Sequence, residues 1–240
     1  MSTRVRALAL TAPLLGLALF AAPASAGGGE EYEKGEVVAH LAPVPGNGVE
    51  GRGHAEVEFD RHGQIDEFEL QASGLLADHP HAAHIHYGEQ ARHECPGLAD
   101  DTSMDGRLNT TEGAPAYGPV QVSLTTTGDT SPASVLAIDR YDTATHGTID
   151  YEREEHIATS AEIAEAIANG EGVVVIHGVD HDGDGTYGGD VVSDLDPTLP
   201  TEATDPALCG VLEEQHGNGH GNGHGNGHED GHGHQEHGNR

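Results

Sequence analysis

Apolar and polar positions alternate in short runs along much of this chain, and period-two alternation predicts β-strands. Runs of this kind cover residues 36–41, 53–60, 65–71, 83–87, 120–126, 134–139, 148–152 and 173–177. The last of them, Val173-Val-Val-Ile-His177, is apolar enough for a strand buried on both faces. Clusters of Gly, Pro, Asn and Asp separate the runs, and Arg61-His62-Gly63 marks a hairpin between the second and third. One helix is predicted over residues 161–168, with Ser160 as its N-cap, acids in its first turn and Asn169-Gly170 as its stop. Residues 96–117 and 179–207 read as long loops, which in a compact domain are usually functional or disordered. Many short strands with turns between them favour an all-β sandwich or barrel over a βαβ fold.

The ends of the chain read differently. Arg4 and Arg6 precede an apolar run over residues 7–22 and then Ala24-Ser25-Ala26, the three parts of a secretory signal peptide over residues 1–26. The protein is therefore expected to be secreted or extracytoplasmic, and no other run is apolar enough to span a membrane. Residues 27–35 form a Gly- and Glu-rich lead-in, residues 36–212 a single domain, and residues 213–240 a tail in which Gly-Asn-Gly-His repeats end in His220, His224 and His228. Export fits one disulfide from the only two cysteines, Cys95 and Cys209; free thiols would suit the cytosol better.

Charge removes one class of function. The formal charge is −31, and without the two arginines of the leader it becomes −33 (−31 minus 2), with Lys34 the sole lysine. Nucleic acid is excluded as a partner, since phosphate contacts need Lys and Arg. Such a field also repels small anions.

The chemistry lies in His81-Ala-Ala-His84-Ile-His86 and in Cys95, nine residues past His86. On a strand His84 and His86 project from one face, about 7 Å apart along it, while Ile85 enters the core. Two imidazoles so placed suit a copper or zinc ion.

In this order and spacing, these residues resemble the copper/zinc superoxide dismutase family over most of residues 36–212. The resemblance rests on Gly74-Leu75, His81, His84, His86, Gly88, Cys95, His177 and Cys209-Gly210-Val211. It implies an all-β, eight-stranded Greek-key barrel with one short helix and long loops. It also implies copper held by His84, His86 and His177, a Cys95–Cys209 bridge, and His81 supporting the ligands from behind. His79, His93 and His181 are candidates for a further ligand. The chain departs from the family where a bridging histidine is expected, which is Asp101 here, and no histidine lies between His93 and His146. Asp100, Asp101 and Asp105 fill that loop, so the resemblance implies a lost zinc site. An arginine that would receive superoxide is replaced by Pro206, with Arg92 or Arg107 as substitutes. The activity implied is dismutation of superoxide to oxygen and peroxide, and the rival is a metal-binding or buffering protein without catalysis. A second resemblance, through Ala83-His84-Ile85-His86, Tyr117-Gly118-Pro119-Val120 and Leu124, is to chordin-type (CHRD) domains, and it implies a β-sandwich interaction module.

Two further clusters are candidate metal sites. Asp180, Asp182 and Asp184 with Gly185 follow the start of a calcium loop, although Val191 stands where the closing glutamate belongs. His216, His220, His224, His228, His232, His234 and His237 lie among tail glycines too numerous for a helix or a core, so the tail is expected to be disordered and to capture metal weakly and multivalently.

Overall fold

The computed structural model describes residues 35–154 and 157–215. The expected signal peptide, most of the expected lead-in and the tail histidines lie outside the described residues.

The domain is all-β. Nine strands build one curled antiparallel sheet: β1 (Glu36–Pro43), β2 (Arg52–Phe59), β3 (Ile65–Ser73), β4 (Ala83–His86), β5 (Val120–Ser123), β6 (Thr148–Glu154), β7 (Val173–His177), β8 (Pro206–Val211) and β9 (Glu213–Glu214). The spatial order is β5-β4-β7-β8-β1-β2-β3-β6, with β9 added beside β1. Eight strands thus follow a Greek-key-like path, curled into a half-barrel. β5 and β6, at its two ends, share no ladder among the described residues. Side chains span that gap: Tyr151 Oη and Arg153 of β6 both donate to Thr125 O, just past β5.

Alternation fixes which face is inside. Val37, Ala39 and Leu41 of β1 and Ala55, Val57 and Phe59 of β2 are buried in the main core with Ile85, Val174 and Ile176. The hairpin between β2 and β3 forms as expected, with Gly63 at positive φ and Asp60 Oδ1 accepting from the backbone of His62 and Gln64. A smaller apolar cluster of Val44, Leu108, Tyr117, Val173, Val175 and Cys209 lies on the other face of β7. This second face carries the site.

Four expectations change. Residues 134–139 form short 3₁₀ turns, Pro132–Ser134 and Ile138–Arg140, not a strand. Asp129 accepts from the Ser131 and Ser134 hydroxyls, and Arg140 donates to Thr127 O, Asp129 O and Ser134 Oγ, so a polar network overrides strand propensity there. A second helix, α1 (Thr110–Tyr117), occupies the first long loop. Asn109 and Glu112 form its capping box, a signal masked in the sequence by Gly113 and Pro115. The second long loop ends in β8, and the domain continues past residue 212 into β9, which pairs with Val37 and Val38. The helix expected at 161–168 forms as α2 (Ala161–Ala168), with Ser160 Oγ accepting from Ile163 N–H. Among the described residues no helix is long and apolar enough to cross a membrane.

Candidate metal centre

β4 and β7 are neighbours, with His84 opposite Val175 and His86 opposite Val173. Cross-strand partners share a face, and His177 lies two residues beyond Val175, so the three imidazoles leave the sheet on one side. Register shifts at Ile85/His86 on the β5 side and at Ile176/His177 on the β8 side bend both strands at these residues. The rings stand close together, with centroids 5.6 Å apart for His84–His86, 5.1 Å for His84–His177 and 5.9 Å for His86–His177.

Hydrogen bonds decide which nitrogens face inward. His86 Nδ1–H donates to Gly118 O at 2.8 Å, and His177 Nδ1–H donates to Thr204 O at 2.6 Å. A carbonyl only accepts, so each neutral ring turns its lone pair out at Nε2. His84 is reversed: its Nε2–H donates to Tyr141 Oη at 2.8 Å, and that hydroxyl donates on to Ser134 O at 2.9 Å. The inward atoms are therefore His84 Nδ1, His86 Nε2 and His177 Nε2, all buried and without a hydrogen-bond partner. They lie within 4.8 Å of one another. Buried polar atoms almost always find partners, so three unpaired nitrogens this close together are atoms that could hold a metal ion.

Burial also keeps the rings neutral. It pushes the His86 imidazole down to about 3 and His177 to about 4, and His84 is held well below the ordinary value with help from the neighbouring rings. Metal ligation needs this neutral form.

The other candidates stand apart from this cluster. His81 is buried behind it, its Nδ1 2.8 Å from His177 O and its Nε2 3.0 Å from Leu76 O, so it braces the backbone of His177. Tyr187 Oη lies 3.2 Å from both ring nitrogens of His81. Gly178, at φ 108°, must be glycine, because a Cβ there would meet Tyr187 Oη at 2.1 Å. His79 Nδ1–H donates to Ala77 O, and His93 Nε2–H donates to Gly88 O while its ring stacks on Tyr87. His181 pairs with Asp205 at 2.9 Å. Asp101 accepts from the backbone of Met104, Asp105 and Gly106, shaping its own loop. Asp180, Asp182 and Asp184 do cluster, but Asp180 already accepts from the backbone of Gly183, Asp184 and Gly185. Arg92 pairs with Glu94 and Asp100, and Arg107 lines a separate cleft with His181 and Asp182.

A Cys95–Cys209 disulfide ties the segment leading to α1 onto β8. Tyr117 packs on His86 with centroids 4.5 Å apart. Tyr117 and Gly118 belong to the stretch that resembles chordin-type domains, whereas Tyr141 and the carbonyl of Thr204 are parts of the site that no spacing in the sequence points to. The open side of the cluster is an apolar pocket of about 40 Å³, walled by Val120, Val135, Leu136, Ile138, Leu195 and Leu199.

In comparisons with known proteins, a family model described as CHRD domain matches residues 33–185, a span that includes all three histidines and ends before Cys209. No curated protein matches the chain.

Proposed function

Because the chain belongs to the CHRD-domain family, we propose that it is an extracytoplasmic CHRD module whose working part is a copper-binding centre formed by His84, His86 and His177. One observation carries this reading: His84 Nδ1, His86 Nε2 and His177 Nε2 are buried, unpaired and mutually within 4.8 Å. Three neutral imidazoles hold copper in either oxidation state, and copper(II) heads the affinity order of divalent first-row metals. Each ring is oriented by a hydrogen bond from its other nitrogen, the usual way a protein fixes a ligating histidine. A leader-like N-terminus and a disulfide support a site outside the cytosol. The tail histidines, as sequence alone, add weak metal capture to the same role.

Metal capture and retention is favoured over dismutation of superoxide. An anion needs a cationic guide, and neither Arg92 nor Arg107 lines the pocket. Asp101 accepts from the backbone of its own loop and Asp100 from Arg92, and among the described residues neither belongs to a group that could hold a second metal ion.

The test is copper titration of the chain, read by electron paramagnetic resonance and thermal unfolding. One equivalent is expected to give a nitrogen-rich copper(II) spectrum and a raised Tm. Because the tail histidines still capture copper, the sign of the site is the rise in Tm, which His84→Gln and His177→Gln are expected to lose while keeping the far-ultraviolet circular dichroism of the parent. A parent chain whose Tm does not rise with copper is an interaction module whose three buried histidines hold no metal.

A further inference from the structure

The pocket above the three nitrogens is unsuited to a charged visitor. Its walls are the side chains of Val120, Val135, Leu136, Ile138, Leu195 and Leu199, and no Lys or Arg lines it. The two threonines in the lining have their hydroxyls engaged: Thr110 Oγ1 donates to Thr204 O at 2.6 Å, and Thr204 Oγ1 donates to Ser193 Oγ at 2.7 Å. An anion entering would lose its hydration and meet no protein donor, so the bound metal ion would be its one counter-charge. The chain's formal charge of −31 adds repulsion. A small uncharged molecule meets neither barrier. A volume of about 40 Å³ holds more than the single water that ~10–15 Å³ admits, enough for a molecule of two heavy atoms. Leu136 and Leu195, 42% and 48% exposed, form an apolar rim at the surface.

Resting on the copper reading above, we infer that this pocket gives small uncharged diatomic molecules access to the metal's open coordination position and turns anions away. The probes are carbon monoxide on the copper(I) protein, followed by its infrared stretch, and azide on the copper(II) protein, followed by its charge-transfer absorption. Each is compared between the parent and two rim variants, Leu136→Arg and Leu195→Arg, both at exposed positions that the fold does not need. The parent is expected to form a one-to-one carbon monoxide adduct and to bind azide weakly. Either arginine is expected to tighten azide about tenfold or more. Azide bound as tightly by the parent as by both variants would overturn the inference, as would a parent that takes up copper but no carbon monoxide. A parent whose Tm does not rise with copper fails earlier, and removes the metal centre along with the inference.

Discussion

Tyr141 is the residue through which the site's one reversed imidazole is held. His84 presents Nδ1 inward because its Nε2–H is taken by Tyr141 Oη, itself anchored on Ser134 O. Tyr141→Phe removes that acceptor and leaves only Val135 O, 3.3 Å away. Copper affinity is expected to fall by about 10–100-fold, measured by competition with a chelator, with the fold retained. Protonation acts on the same three residues. His84, His86 and His177 have depressed pKa values in the folded chain, with His86 near 3 and His177 near 4, against an ordinary value of 6.5. Below pH 6.5 the unfolded chain binds protons that the folded chain refuses. Stability without metal is therefore full above that pH and declines as it falls towards 3. Urea midpoints between pH 7 and pH 4 are expected to drop more steeply for the parent than for His177→Gln.

At the scale of elements, the site depends on two strands and two covering segments. β4 and β7 set the direction of the histidines, while the segment carrying α1 and the one leading into β8 supply Gly118 O and Thr204 O. The Cys95–Cys209 bridge holds the first cover to β8 across a sequence separation of 114 residues. Removing a link that closes so long a loop is expected to cost about 2–5 kcal/mol. The double variant Cys95→Ala/Cys209→Ala should show this as a lower denaturation midpoint. It should also release copper faster, because the ring partner of His86 is on the loosened side. Equal release rates in the variant and the parent would place the bridge outside the site's mechanics.

Across the whole molecule, charge sets the conditions under which the domain is stable. A formal charge of −31 works against any compact state, and salt screens it. The Tm is expected to rise between 0.05 M and 1 M sodium chloride, and the rise should be smaller at pH 4.5, where carboxylates begin to protonate. A Tm that falls with salt would mean that attractive pairs such as Arg92 with Asp100 outweigh the repulsion.

How much of this was legible differs between these scales. Alternation, turn residues and the helix caps at Ser160 and Asn169 determined an all-β domain with seven of its strands and α2, because period and capping are local properties of the chain. The His84-Ile85-His86 triplet determined that two imidazoles share a face, since that follows from strand geometry alone. Only tertiary structure decided the rest. Residues 134–139 carry strand-like residues, yet Asp129 and Arg140 fold them into turns from outside the run. β8 carries no strand signal of its own, with its first two residues in the expected loop, and β9 falls in the expected tail, because their pairing with β7 and β1 is long-range. His177 joins His84 through a ladder between strands far apart in sequence, and Gly118, Tyr141 and Thr204 choose which nitrogen each ring offers. A sequence can place a histidine on a face. The direction of its lone pair depends on a hydrogen-bond partner that folding brings in from elsewhere.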